Sequence, residues 1–323
     1  MKFMSPRRII PNAAYTLLEL SLVLVVLSLL AAGIIAIVTQ HMRRSAMMEV
    51  TRKMDVIEAR LLNFRNKWGY LPCPADSNIA YAPYAAASTN FGNATITSGN
   101  NPPCTNTGAA VYSSYSDLAS DGGTPAAQAA TFYDGSHTVA GDVPIKTLEL
   151  SDDYMFDPWG GRFFYVVDSR MTTAAAFTNT YPVINASTNV GSISIIDGAL
   201  IGGAVPVPPH YKIQAGLVTP GAGGAIAVLM SYGPDGHGAF QYGGGARKNV
   251  GNSNANTLTN CHCDNAAVSA ITHPFTIFVQ APATSTSSGD PTSFDDIVRY
   301  YTRQSFVTST DLKLTPTDPT TTR

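Results

Sequence analysis

A single glutamate at the start of a long apolar run is the residue whose chemistry most needs a partner. Glu19 precedes residues 20–38, which contain no charge and no proline and are mostly aliphatic. A run of this length is close to what a helix needs to cross the roughly 30 Å hydrocarbon core of a bilayer. A carboxylate beside such a run costs free energy unless a positive charge or hydrogen-bond donors meet it, and the run offers neither. Glu19 therefore predicts a partner outside this segment.

Four cysteines offer a second kind of chemistry, and all follow the apolar run: Cys73, Cys104, Cys261 and Cys263. In an oxidising compartment an even number of cysteines predicts disulfides. A Cys73–Cys104 bond would close a loop of small and polar residues and contribute about 3 kcal/mol by chain entropy. The possible pairings stay open, because spacing does not choose among them. Cys261-His262-Cys263 also suggests a metal, but no second paired cluster completes a tetrahedral site, so we favour disulfides.

Acidic residues late in the chain are candidates for calcium. Asp235, Asp264, Asp295 and Asp296 could supply oxygen ligands, which calcium prefers. Their spacing is not that of an EF-hand, and we favour the interpretation that these aspartates cap turns and helices. We therefore predict no cofactor, with calcium at Asp235 and Asp264 as the alternative.

Charge and motifs argue against an enzyme and against a nucleic-acid groove. The chain carries 20 Lys and Arg against 22 Asp and Glu, and beyond residue 68 the acidic residues predominate. An acidic globular part is unsuited to binding a polyphosphate backbone. Gly243-Gly244-Gly245 lacks the Lys-Ser/Thr of a phosphate-binding loop, and no zinc-protease or nucleophile-elbow motif occurs. His237, between two glycines, is expected at the surface.

The residues around Glu19 resemble the processing site of type IV pilins and type II secretion pseudopilins. A basic leader, residues 1–14, ends at Ala14 and is followed by Tyr15-Thr16-Leu17-Leu18-Glu19. The resemblance implies that prepilin peptidase cuts between Ala14 and Tyr15 and that the new amine is methylated. It also implies that Glu19, with Thr16 beside it, pairs with the amine of a neighbouring subunit during filament assembly. The family usually has Gly before the cut and Phe after it, where this chain has Ala14 and Tyr15.

Further blocks extend the resemblance. The Asp157-Pro158-Trp159-Gly160 turn before an aromatic strand is similar to a turn of major pseudopilins, and residues 69–76 and 231–234 resemble segments of large prepilin-type proteins. Ala36 stands where major subunits usually have proline, which favours a minor pilin or pseudopilin. The implied location is the bacterial inner membrane, crossed once, with the globular part in the periplasm. The implied partners are prepilin peptidase, other pilin or pseudopilin subunits, the inner-membrane assembly platform and membrane lipid, with no nucleic acid.

Two other interpretations of the N-terminus stay open. A secretory signal peptide would be cut after the apolar stretch, near Ala32, but its apolar region is normally shorter and lacks a glutamate. An uncleaved single-pass anchor would tolerate Glu19 at the membrane interface. In that case the globular part would be a membrane-anchored periplasmic binding domain or enzyme that forms no filament.

The elements that must position these residues begin with one long helix. Residues 15–38 form its apolar half and residues 39–68 its amphipathic half, and Gly69 ends it. Apolar residues at alternating spacings of three and four predict one stripe along the second half: Met47, Val50, Met54, Ile57, Leu61, Phe64 and Trp68. Such a stripe suits packing on a sheet, with a short coiled coil as the alternative.

The rest of the chain predicts a β-rich globular domain over residues 69–312. Strands are expected at residues 163–167, 225–231 and 275–279, with weaker candidates at 191–196 and 211–218. Residues 294–301 predict a short helix or an edge strand. The low-complexity residues 80–140 predict an insertion, residues 281–292 a linker, and residues 313–323 a disordered tail. The expected fold is therefore α+β and type IV pilin-like, with a long N-terminal helix on an antiparallel sheet.

Overall fold

The computed structural model of the protein describes residues 17–77, 79–81, 91–94, 112–113, 138–172, 193–197, 225–244, 247–263, 275, 277–284, 292–302 and 306. The side chains of residues 31–37, 39, 112–113, 169–170 and 197 lie outside this description. The chain forms two compact units, Met1–Met48 and Glu49–Arg323. The predicted strand at residues 211–218 and the predicted tail at residues 313–323 lie outside the described residues.

One helix, α1, runs through Leu17–Trp68 and belongs to both units. It ends as predicted, because Gly69 adopts a φ of 78° and donates its N–H to the Arg65 carbonyl at 2.7 Å, a conformation that residues with a Cβ rarely adopt. In the second unit, Val50, Met54, Ile57 and Leu61 of the predicted stripe are fully buried. The stripe is shorter than predicted: Met47 and Trp68, at its two ends, are 43% and 51% exposed.

The second unit is built on an antiparallel sheet. The described strands are β1 Tyr112–Ser113, β2 Thr138–Asp142, β3 Phe164–Asp168, β4 Ser194–Asp197, β5 Ala227–Ser231, β6 Ile277–Gln280 and β7 Ile297–Tyr301, and a short helix, α2, spans Ala255–Cys261. The central strands of the antiparallel sheet pair in the order β2, β3, β5, β7, and the short β1 extends the edge beside β2. A separate parallel pair joins β4 to β6.

Alternate residues of the central strands enter two hydrophobic cores. Tyr165, Val167 and Leu229 face the core that contains the buried residues of α1. Phe164 and Val166 face the other core, which contains Ile195, Phe278 and Cys261 among its members. Both faces of β3 and β5 are therefore covered, which explains why these strands appear in the sequence as continuous apolar runs. The helix-on-sheet α+β arrangement of this unit agrees with the prediction.

The structure adds detail to several local predictions. Of the two alternatives for residues 294–301, the edge strand is the one found: β7 pairs with β5 from Ala227↔Tyr301 to Ser231↔Ile297. The predicted insertion at residues 80–140 contains β1, the start of β2, and Phe91, which is buried in the core. Lys53, which does not belong to the predicted stripe, is nevertheless only 5% exposed. Its ammonium donates to the carbonyls of Asp153 and Phe156 at 2.9 and 3.0 Å, and these bonds compensate its burial.

Candidate functional site

The first helical turns of α1 present an apolar surface to solvent on every side. From Leu17 to Leu30, all eleven leucine and valine side chains are between 49% and 89% exposed. Only three other residues occur in this stretch, and the two serines, Ser21 and Ser28, donate their hydroxyls to carbonyls of Leu18 and Val25. Soluble monomers rarely expose a contiguous apolar surface of this extent, so it marks a site of contact with other molecules.

Glu19 is the third of these residues and the only charge on the apolar surface between Leu17 and Leu30. It lies exposed in the first turn of α1. The positive end of the helix dipole stabilises a carboxylate at this place by about 0.3–1 kcal/mol. This effect explains why a glutamate is tolerated there, but it does not require one.

The predicted processing residues Ala14, Tyr15 and Thr16 lie outside the described residues, as does the leader, residues 1–14. Among the helical residues that the structure describes, no segment is both long enough and apolar enough to cross a membrane.

The second candidate site is a buried cluster of His237, Cys261 and Cys263. Their nearest ligand atoms all lie within 4.8 Å of one another. The sulfur atoms of Cys261 and Cys263 lie within disulfide-bonding distance of each other, and His237 Nε2 lies 3.6 Å from Cys263 Sγ. The expectation that His237 is at the surface was wrong, since its side chain is fully buried. Cys73 is also disulfide-bonded, and Cys104 lies outside the described residues.

The end of α2 brings the two cysteines together. His262 follows the helix in the left-handed region, with φ 52° and ψ 36°, and its N–H returns to the carbonyls of Leu258 and Thr259. This reversal places the Cα atoms of Cys261 and Cys263 5.1 Å apart. The His262 ring packs edge-on against Phe275 and Phe278, and these contacts support a conformation that is uncommon outside glycine, although histidine adopts it more often than most residues.

Two neighbours shape the surroundings of the sulfur atoms. Gly238 has a φ of 89°, and a Cβ there would lie 2.5 Å from Cys261 Sγ, so glycine leaves the space that the sulfur occupies. The Arg247 guanidinium donates to Cys261 O at 2.5 Å, to Gly238 O at 2.7 Å and to Cys261 Sγ at 3.4 Å. The sulfur atoms therefore lie beside a fixed positive charge.

His237 is held in one tautomer by its other ring nitrogen. The Val250 N–H donates to Nδ1 at 3.4 Å, so Nε2 carries the hydrogen and faces Cys263 Sγ. Burial lowers the pKa of His237, although the Asp235 carboxylate acts in the opposite direction. A neutral imidazole beside two sulfur atoms is a set of donors that suits soft metal ions.

The calcium candidates behave differently. Asp235 Oδ1 accepts from His237 N at 2.8 Å and Oδ2 from Asn252 Nδ2 at 2.6 Å. The Asp235 N–H in turn donates to Asp295 Oδ2 at 2.9 Å. Asp235 thus caps a turn, and of the described carboxylates none belongs to a group of three or more ligating side chains that could share a metal. Asp264 lies outside the described residues.

The Asp157 turn anchors the entry to β3. Asp157 Oδ1 accepts from the N–H groups of Trp159 and Gly161 at 3.0 and 2.9 Å, and Oδ2 accepts from the Ser231 hydroxyl at 2.7 Å. The turn that resembled a family block is therefore tied to β5. Burial raises the pKa of Asp157 to about 6, although these hydrogen bonds act to lower it.

Sequence reasoning missed His237 and Arg247 as neighbours of the cysteine pair. Both lie far along the chain from Cys263, and neither belongs to a motif. The only available signal was the glycine on each side of His237, which suggested exposure and not close packing.

Comparison with known protein families, with curated proteins and with solved structures finds no match for this chain.

Proposed function

We propose that the protein is a structural subunit, a minor pilin or pseudopilin, of a filament of the type IV pilus or type II secretion type. The observation that carries the proposal is the apolar surface of α1 between Leu17 and Leu30, with Glu19 as its only charge. The second unit supports it, because its two cores contain none of these residues.

The apolar surface must stay out of water both before and after assembly. Removing a leucine or valine side chain from water contributes about 1.5–3 kcal/mol, and eleven such side chains are exposed here. Before assembly, lipid around residues 15–38 would cover this surface, with the globular unit in the periplasm. In the filament, the apolar helices of neighbouring subunits would cover it. The assembly platform would carry the subunit from one state to the other.

Glu19 sets the register between subunits in this mechanism. Hydrophobic contact alone has no direction, so helices could slide past one another at little cost. A carboxylate buried without a partner costs several kcal/mol, and removing one partner of a buried pair typically costs about 3–5 kcal/mol. The resemblance supplies the partner, which is the amine of Tyr15 freed by prepilin peptidase on a neighbouring subunit. Only one register brings these two charges together.

The N-terminus of the native protein provides the first test. Mass spectrometry of the chain purified from its own cells is expected to find Tyr15 as the first residue, with a methylated amine. An intact Met1 would instead favour the uncleaved anchor, and a terminus after Ala32 would favour a secretory signal peptide.

Removal of the acid provides the second test. Glu19→Ala and the isosteric Glu19→Gln are expected to keep the subunit in the membrane fraction and to lower its amount in sheared filaments at least about tenfold, equivalent to 1.4 kcal/mol. Glu49→Gln is the matched control, because Glu49 is a half-buried glutamate on the same helix whose nearest partner is Arg52 at 2.6 Å. Filament incorporation of Glu19→Ala at the wild-type level, measured by quantitative mass spectrometry, contradicts the proposed role.

A further inference from the structure

The cluster of His237, Cys261 and Cys263 has features of a binding site that the filament function does not use. Three side chains with soft or borderline donor atoms meet within 4.8 Å. All three are at most 2% exposed, so water is excluded around them. A disulfide alone needs neither a histidine nitrogen 3.6 Å from one sulfur nor an arginine beside the other.

We propose that Cys261, Cys263 and His237 bind one copper(I) ion when the disulfide is reduced. Thiolate ligands select soft metals such as copper(I), and imidazole is compatible with them. The described residues provide three ligands, a number that suits trigonal copper(I), whereas structural zinc normally takes four. This inference stands independently of the filament function.

Two thiolates bring negative charge into a buried place, where an uncompensated charge is costly. The Arg247 guanidinium lies beside Cys261 Sγ and opposes that charge, while the Asp235 carboxylate lies on the other side, bonded to the His237 N–H. Arg247 also stays fixed by its bonds to Gly238 O and Cys261 O, so it does not have to reorganise when the ion binds.

The redox and proton steps balance with a dithiol as the reductant. The dithiol transfers two electrons and two protons to the Cys261–Cys263 bond, which becomes two thiols while the dithiol becomes a disulfide. Copper(I) then displaces both thiol protons to solvent. The ring hydrogen of His237 must move from Nε2 to Nδ1, which gives up the 3.4 Å contact from Val250 N–H. That contact is at the long end of hydrogen-bond geometry, so its loss costs little.

The experiment uses the full chain in mild detergent under nitrogen. After reduction with a dithiol and removal of the reductant, the chain is titrated with copper(I) against the chromophoric chelator bathocuproine disulfonate. The reduced chain is expected to take up one equivalent of copper, and the oxidised chain none. X-ray absorption at the copper edge is expected to show two sulfur ligands and one nitrogen ligand. Absence of copper from a reduced and folded chain overturns the proposal, as does a sulfur-only site.

Variants identify the ligands. Cys261→Ser with Cys263→Ser is expected to abolish binding. His237→Gln is expected to weaken it at least tenfold, since loss even of a group outside the ligand set typically costs about 10–100-fold. His41→Gln, at an exposed position of α1, is the matched control and is expected to bind as the wild type does. Equal weakening in the two histidine variants overturns the assignment of His237.

Two further arms separate the site from its competitors. Reduction also opens the disulfide of Cys73, so Cys73→Ser is expected to keep its equivalent of copper. Loss of copper from that variant, with near-ultraviolet circular dichroism unchanged, would place the site elsewhere. Tighter retention of zinc(II) than of copper(I) by the reduced wild type would overturn the assignment of copper(I).

Discussion

Replacing Asp157 by asparagine is expected to remove a pH-dependent loss of stability. The pKa of Asp157 is about 6 in the folded protein, raised by burial from an ordinary value of 3.8. A carboxyl group whose pKa is raised by folding binds its proton more tightly in the folded state. Its contribution to stability is therefore present below pH 3.8 and is lost as pH rises through about 6.

The magnitude follows from these two pKa values. Each unit of difference corresponds to 1.36 kcal/mol, so the full loss is about 3 kcal/mol. About 2 kcal/mol of it falls between pH 4.5 and pH 7.5. Asparagine resembles the protonated acid: its carbonyl can accept from the N–H groups of Trp159 and Gly161, and its amide can donate to the Ser231 hydroxyl. We expect the variant to match the wild type near pH 3, to be about 1 kcal/mol more stable at pH 4.5 and to be about 3 kcal/mol more stable at pH 7.5.

Urea unfolding of both chains at half-unit intervals of pH, in a detergent that covers the apolar helix, measures this difference. Asp295→Asn serves as the comparison, because burial and the Asp235 carboxylate raise the pKa of Asp295 to about 7. Its effect should therefore appear at higher pH than that of Asp157→Asn. The reasoning is refuted if the free energies of unfolding of Asp157→Asn and the wild type change in parallel with pH. It is also refuted if the variant becomes less stable relative to the wild type as pH rises.

Three other substitutions test the packing of the second unit. Arg162→Met removes a fully buried guanidinium from its ion pair with Asp142 and from its bonds to three carbonyl groups. It should lower the free energy of unfolding by about 3–5 kcal/mol. The control Arg60→Met, at an exposed position on α1, should change that free energy by less than about 0.5 kcal/mol. Ile57→Ala should lower the free energy of unfolding, measured by urea titration, by about 2–5 kcal/mol. The control Met47→Ala, at a half-exposed position, should lower it by less than about 1 kcal/mol. Equal losses in the two variants would show that α1 contacts the core through other residues. Gly238→Ala would place a Cβ at a positive φ and against Cys261 Sγ. It should lower the melting temperature by several degrees, equivalent to about 1–3 kcal/mol. An unchanged melting temperature would show that the turn relaxes to accept the Cβ.

Several elements follow from short stretches of sequence because their causes are local. Spacings of three and four predict the buried face of α1, and Gly69 predicts its end, since both depend on helical periodicity and backbone conformation. Continuous apolar runs predict β3 and β5, whose two faces are both covered. The strands within residues 80–140 escaped prediction because β2 contains Thr, Gly and Asp residues, and its partner β3 supplies the pairing that holds it.

Sequence alone determined the long helix, its apolar first half and the position of Glu19 within it, because hydrophobicity and helical period are properties of adjacent residues. Only the tertiary structure decided that His237 and Arg247 meet the Cys261–Cys263 pair and that Lys53 is buried. The physical reason is that burial of a polar group is set by hydrogen bonds and charges from residues far along the chain. Whether a given histidine or lysine receives these hydrogen bonds and charges depends on how the strands and turns pack. A local sequence pattern does not predict that packing.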